Sequence, residues 1–343
     1  MNLHEQQSLR GKLAGVLTAF EVEAYLPLID EIRRLKREKN ACILVHNYQT
    51  PEIYHGIADF VGDSLGLSRE AMRVDCERII FCGVHFMAET AKLLNPNAKV
   101  LIPDLEAGCS LSESITPEDV RALKAKHQGV PVVCYVNTPA AIKAESDVCC
   151  TSANAAKIVN ALDSDKIIFI PDEYLGQNVA RETGKKIITH PGRCMVHEQF
   201  TVQDIKNYRA EFPGIAVISH PECSPEVVKA SDFSGSTSMM EGFIAKSPAK
   251  KIMLITECSM ASNLRVSFPD KDFQMPCTIC PHMKKITLQK VLKSLQEDVY
   301  EIEIAADVAR KARRAVERML EFSPHHLFPG CKPAPRAKQV VGS

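Results

Sequence analysis

Three cysteines stand out by their spacing. Cys109, Cys194 and Cys280 lie 85 and 86 residues apart, and seven residues after each comes a threonine: Thr116, Thr201 and Thr287. A thiolate is a nucleophile and a soft metal ligand. Three of them recurring at one period point to three equivalent places around one centre. A [4Fe–4S] cube has a threefold axis through one iron, so three thiolates can each bind one of the other irons. The axial iron then carries no protein thiolate and stays open, the usual mark of a catalytic metal site. A single zinc held by the same cysteines also fits the spacing. It fits less well, because structural zinc sites usually draw Cys-x-x-Cys pairs from two places, and Cys277-x-x-Cys280 is the one such pair in the chain.

The other cysteines read differently. Cys82 and Cys134 end apolar runs and read as core, and Cys149 and Cys150 are adjacent, which suits two ligands of one site poorly. Cys223 and Cys258 break the period and read as non-ligands. A competing chemistry is a dithiol redox site made by Cys277 and Cys280.

The elements that must position these residues repeat with them. Each threonine opens a helical pattern, and Asp119 and Asp204 stand where a capping box needs its acid, with Lys290 in the third copy. Short apolar, β-branched runs follow at 130–136 and 215–219, and an equivalent helix and strand precede the first copy at 28–39 and 41–45. Then come Thr50-Pro51, Thr138-Pro139 and Ser224-Pro225, each a hydroxyl cap with proline at the first helical position. Asp59, Asp147 and Asp232 open short segments ending at Ser64, Ser152 and Thr237, whose hydroxyls are placed to cap further helices. Strands at 78–82, 166–170 and 251–255 complete the pattern. Alternating β and α elements with right-handed crossovers predict an α/β chain of three similar αβα sandwiches with parallel sheets, set with pseudo-threefold symmetry about a central site. The expected units are 24–114, 115–200 and 201–286, with helices and a tail at 287–343 packing back on the first.

Ligands of such sheets bind beyond the carboxyl ends of the strands. The residues there are His46-Asn47-Tyr48-Gln49, Tyr135-Val136-Asn137 and His220-Pro221-Glu222-Cys223, a set rich in proton-transfer and hydrogen-bonding groups. His85 and His190 read instead as core histidines.

Composition narrows the class. The 343 residues are 45% hydrophobic and 24% charged, with 42 Lys plus Arg against 42 Asp plus Glu. That balance gives no global attraction to nucleic acid. No apolar run approaches the ~20 residues of a membrane span. Residues 1–12 lack a signal-peptide core, so export is not expected and a cytoplasmic location is.

From about residue 24 to about residue 322 the chain resembles the quinolinate synthases. The resemblance is carried by His46-Asn47-Tyr48, Gly62-Asp63-Ser64, Asp104-Leu105-Glu106-Ala107-Gly108-Cys109, Tyr135-Val136-Asn137 and Gly192-Arg193-Cys194-Met195-Val196-His197. It continues in His220-Pro221-Glu222-Cys223, Gly235-Ser236-Thr237 and Cys277-Thr278-Ile279-Cys280-Pro281-His282-Met283. The resemblance implies condensation of iminoaspartate with dihydroxyacetone phosphate to quinolinate, releasing phosphate and two waters, in NAD biosynthesis. It implies a [4Fe–4S] cluster on Cys109, Cys194 and Cys280, and substrate contacts at His46, Ser64, Tyr135, Asn137, Ser152, His197, His220, Glu222 and Thr237. Tyr48, Glu222 and His220 are the types that could move protons, and His46 could bring positive charge to the phosphate. An L-aspartate-oxidising enzyme supplying iminoaspartate is the implied functional partner. Some of the family carry a third cysteine where this chain has Met283, so control built on that longer run is not expected here.

Overall fold

The computed structural model describes residues 3–323 and, beyond them, residues 332–333. Cys331 and most of the expected C-terminal tail lie outside the described residues.

Among the described residues, twelve strands form three parallel four-stranded sheets. The first holds β1 (Ala41–His46), β2 (Phe60–Gly62), β3 (Arg78–Cys82) and β4 (Lys99–Leu101) in the order β2-β1-β3-β4. The second holds β5 (Val132–Tyr135), β6 (Val148–Cys150), β7 (Lys166–Ile170) and β8 (Lys186–Thr189) in the order β6-β5-β7-β8. The third holds β9 (Ala216–Ser219), β10 (Phe233–Ser234), β11 (Lys251–Ile255) and β12 (Asp272–Gln274) in the order β10-β9-β11-β12. A short β13 (Lys332–Pro333) adds antiparallel to β2. The same strand order three times over is the repeat seen in the sequence.

The strands are apolar because helices cover both faces. In β11, Ile252 and Leu254 join one core cluster while Met253 and Ile255 join another, the two-residue alternation of a strand buried on both sides. One aspartate per unit fixes the register. Asp59, Asp147 and Asp232 each accept the N–H of the first strand at 2.8 Å, from Ile43, Val132 and Val217. Each also donates its own N–H to the carbonyl of that same residue, so a carboxylate continues the ladder where the second strand begins.

The capping boxes at Thr116/Asp119 and Thr201/Asp204 are both formed, and Thr287 accepts from Lys290 N–H without a reciprocal acid. Other caps shift. Ser64 and Thr237 are not N-caps: Asp63 and Ser236 are, which leaves Ser64 and Thr237 at the first helical position. Asn154, not Ser152, precedes the helix Ala155–Ala161. The helix Leu288–Glu297 packs on the helix Ala19–Glu38 and on β3, whereas Ala306–Glu321 bridges helices His85–Leu94 and Ala140–Ala144. No described helix is long and apolar enough to cross a membrane.

Candidate active site

The carboxyl ends of the three sheets open into one cavity. Its walls include His46, Tyr48, Ser64, Tyr135, Asn137, Ser152, His197, His220, Glu222 and Thr237, together with Cys109, Cys194 and Cys280. Residues named from three separate repeats of the sequence therefore meet in one place.

At its centre sits Glu222, which is 3% exposed. Its Oε2 lies 2.6 Å from His197 Nδ1 and 3.7 Å from His220 Nδ1. Its Oε1 accepts from the Tyr135 hydroxyl and, at 3.3 Å, from Asn137 Nδ2. Burial opposes the charge on Glu222, but the neighbouring imidazoles and the bonds from His197 and Tyr135 outweigh it and hold the carboxyl below its usual range. The same burial and the adjacent carboxylate push the Tyr135 hydroxyl well above its ordinary value, so it is a donor.

His197 continues the network. Its Nε2 is 2.9 Å from Thr256 Oγ1, and Thr256 Oγ1 is 2.6 Å from the Tyr48 hydroxyl. With Nδ1 donating to Glu222, the hydrogen bonds run in one direction, from Tyr48 through Thr256 and His197 to Glu222. The His197 ring stacks on His220 with centroids 4.6 Å apart. Tyr48 is held from outside the cavity by Lys284, whose Nζ donates to the Tyr48 carbonyl at 2.6 Å and pairs with buried Glu257 at 2.9 Å.

Two strand-end histidines are built alike. His46 Nδ1 accepts from Tyr48 N–H at 3.2 Å and His220 Nδ1 accepts from Glu222 N–H at 3.3 Å. Both therefore carry their proton on Nε2, and His220 uses it on Ser152 Oγ at 3.2 Å. Burial pulls both imidazoles down to about 3. His46 thus offers a hydrogen bond at neutral pH and not the positive charge expected of it. Thr237 is fixed by Asn47, whose Nδ2 donates to its Oγ1 at 2.8 Å, while Ser236 is tied to Asp63 at 2.9 Å.

The three cysteines share a local device. The sulfur of Cys109 is approached by the N–H groups of Leu111 and Ser112, that of Cys194 by Val196 and His197, and that of Cys280 by His282 and Met283. Each thiol thus faces the amides two and three residues on. Burial dominates nonetheless and pushes all three thiols up, Cys109 to about 12. A dry thiol with preset N–H donors is suited to a thiolate whose charge a bound cation balances. Among the described residues, the one group of His, Cys, Asp and Glu whose ligand atoms all lie within 4.8 Å of one another is Cys194, His197 and Glu222. The three thiols are more widely spread. Sulfurs sharing one zinc lie within about 4.6 Å, twice the Zn–S bond. The three thiols are therefore not gathered for a single zinc.

Several expectations need correction. Cys277 is not half of a dithiol with Cys280: it forms a disulfide with Cys258 across 19 residues of chain, Cα to Cα 5.3 Å. That bond ties the loop bearing Cys280 to the helix Cys258–Ser267. His85 and His190 are not core: His85 keeps 39% of its side chain exposed, and His190 reaches Ser114 O at 2.8 Å from a half-buried position. Thr256, Glu257 and Lys284 are site residues the sequence did not single out, and only the placement of Thr256 and Glu257 just after β11 hinted at them.

The family model described as "NadA: Quinolinate synthetase A protein" matches residues 30–321. The chain is 54% identical over 318 residues to the quinolinate synthase of Sinorhizobium fredii (strain NBRC 101917 / NGR234), covering 93% of this chain and 89% of that one. It is 54% identical over 318 residues to quinolinate synthase 1 of Mesorhizobium japonicum, covering 93% and 98%. Against the quinolinate synthase of Xylella fastidiosa (strain Temecula1 / ATCC 700964) the identity is 56% over 292 residues, covering 85% and 86%.

Proposed function

Since the chain belongs to the quinolinate synthetase A family, enzymes of NAD biosynthesis, we propose that it condenses iminoaspartate with dihydroxyacetone phosphate to give quinolinate, phosphate and two waters. The observation that supports this most is the convergence of Cys109, Cys194 and Cys280 with the strand-end residues of all three sheets on one cavity. In this reading those cysteines hold a [4Fe–4S] cluster, which when bound supplies a Lewis-acidic iron free of protein thiolate.

The chain's own residues divide the remaining work. Ser64 and Thr237, released from capping by Asp63 and Ser236, present hydroxyls at two helix N-termini, where backbone N–H groups favour phosphate. His46 adds an Nε2–H donor beside them. Tyr135, Asn137, Ser152 and His220 orient the carboxylates of iminoaspartate. Glu222 accepts a proton during dehydration and gives it back to the leaving hydroxyl, while the Tyr48–Thr256–His197 chain, which donates toward Glu222, holds its carboxylate in place. The apolar wall of Val84, Phe86 and Met87 keeps bulk water from the intermediates.

We further assign repeats to 24–114, 115–200 and 201–286, with 287–343 as an appendage. A cytoplasmic location and a supply of iminoaspartate from an L-aspartate-oxidising enzyme follow from the same reading. The test is an anaerobic assay with dihydroxyacetone phosphate and freshly generated iminoaspartate. Quinolinate formed in proportion to protein-bound iron is expected. A brown, fully loaded protein that forms none would overturn the assignment.

A further inference from the structure

We propose that Lys143 is a positioning residue of the site, its buried ammonium clamping the loop on both sides of Asn137 and so aiming the Asn137 amide at Glu222. The inference rests on the proposed reaction for its kinetic consequence and on the chain alone for its structural one.

The three strand-end loops make the case. In the first and third, a histidine lies four positions before the helix N-cap, His46 before Thr50 and His220 before Ser224. Both close with a backbone turn bond: Gln49 N–H donates to His46 O, and Cys223 N–H to His220 O, each at 3.0 Å. The middle loop, Tyr135 to Pro139, is of the same length but has tyrosine in the histidine's place and proline as its N-cap. It makes no such turn bond, and side chains replace it. Thr138 Oγ1 donates to Tyr135 O at 3.1 Å, and Lys143 Nζ donates to Val136 O at 2.9 Å and also to Thr138 O. Those two carbonyls flank Asn137.

Lys143 is wholly buried. Among the described residues no carboxylate lies within ion-pairing distance of it, so backbone dipoles hold its charge. Its Nζ also sits 5.5 Å from the ring centroid of Phe86, a wall of the cavity. The repeat-equivalent positions, four residues after each helix N-cap, are Tyr54 and Val228. A buried ammonium thus accompanies the middle loop alone. An unpaired buried charge is expensive, and a position needing only volume would hold methionine or leucine. What Lys143 secures is the presentation of Asn137, whose Nδ2 reaches Glu222 at 3.3 Å and whose buried Oδ1 has no partner, an acceptor left for a ligand.

The test combines Lys143→Met with Asn137→Ala in a double-mutant cycle on the iron-loaded enzyme, read by steady-state kinetics and by amide hydrogen exchange of the full chain. Lys143→Met should lower kcat/KM on the order of 100-fold, the scale of a misplaced contact group. It should add little further loss in the Asn137→Ala background, because both changes remove the same contact. Exchange in peptides covering 132–139 should quicken while peptides from the third sheet stay as in wild type. Fully additive losses, or unchanged exchange at 132–139, would overturn the clamp. If Lys143→Met does not fold, Lys143→Gln, which keeps an N–H donor without the charge, must show the same non-additivity. If the wild-type chain makes no quinolinate, the proposed reaction fails, and the exchange comparison still decides whether Lys143 holds the loop.

Discussion

Glu222→Gln isolates the charge at the centre of the site. The amide keeps the volume, and its oxygen can still accept from Tyr135 and Asn137. Its NH2 group, however, faces His197 Nδ1, which lies 2.6 Å from the carboxylate in the native protein. His197 must then give up its Nδ1 proton, take one on Nε2 and donate to Thr256, which reverses the chain that runs from Tyr48. Three charge-assisted bonds become neutral ones, a loss of about 1 kcal/mol each. Removal of a buried charge returns several kcal/mol of desolvation against that loss. The two nearly cancel, so the unfolding free energy should move by no more than about 2 kcal/mol. Turnover should not survive so well: losing a positioned base typically costs on the order of 10²–10⁴ in rate, or about 3–5 kcal/mol in the barrier. The assay is anaerobic quinolinate formation normalised to iron and sulfide content, with product affinity measured alongside. A folded, iron-loaded Glu222→Gln enzyme turning over within about tenfold of wild type would remove Glu222 from proton transfer.

Further outcomes follow from the same structure. Serine at Cys109, Cys194 or Cys280 should each prevent normal iron and sulfide loading, whereas Cys42→Ser and Cys76→Ser should load as wild type. Cys258→Ser should also load but lose about 3 kcal/mol of stability in denaturant titration, the entropy of a 19-residue closed loop. Ser64→Ala should leave stability within about 0.5 kcal/mol while substrate KM rises, because the cap is Asp63, and Asp63→Ala should cost about 1 kcal/mol; the reverse ranking would show that Ser64 is only structural. Asp298 sits at φ 54°, takes a two-pronged bond from Arg78 at 2.8 and 2.9 Å, and is held below the usual carboxylate range chiefly by that bond. A carboxylate with a lowered folded pKa stabilises above its unfolded pKa and loses that contribution as pH falls, so Asp298→Asn should cost about 1 kcal/mol at pH 7 and nothing once pH drops well below about 4. A gap independent of pH in thermal melts would show that the ion pair contributes nothing.

The repeat was legible because its punctuation uses residues with narrow conformational roles. Proline at a first helical turn, threonine followed by an acid three residues on, and aspartate at a strand start each leave a mark that survives divergence of the core around them. The exact caps were not legible. Asp63-Ser64 and Ser236-Thr237 each place two cap-competent residues side by side, and only the backbone turn decides which one faces the helix amides. The disulfide was hidden for a topological reason: Cys258 follows β11 and Cys277 follows β12, and those strands become neighbours only once the sheet order is known.

The same contrast separates framework from chemistry within the site. Asp59, Asp147 and Asp232 are the same residue doing the same backbone task in each unit, because each sheet poses the same geometric problem. The three cysteines are equally uniform, each with amides two and three residues on turned toward its sulfur, as a centre with threefold symmetry would require. The strand ends are not uniform. His46, Tyr135 and His220 occupy one repeat position, as do the residues that follow the third strand of each unit, Gly83, Pro171 and Thr256. The substrates proposed above, one a phosphate ester and the other a dicarboxylate, have no threefold axis, so on that reading their contacts break the symmetry that the cysteines keep. Thr256 was invisible in the sequence for that reason: it has no repeated counterpart, and a lone threonine at a strand end is ordinary until His197 and Tyr48 are seen to meet it. Lys143 belongs to the same class. The tyrosine that replaces histidine in its loop could be read in the sequence, but the need for a buried cation beside it appears only when the carbonyls of Val136 and Thr138 are found pointing at it.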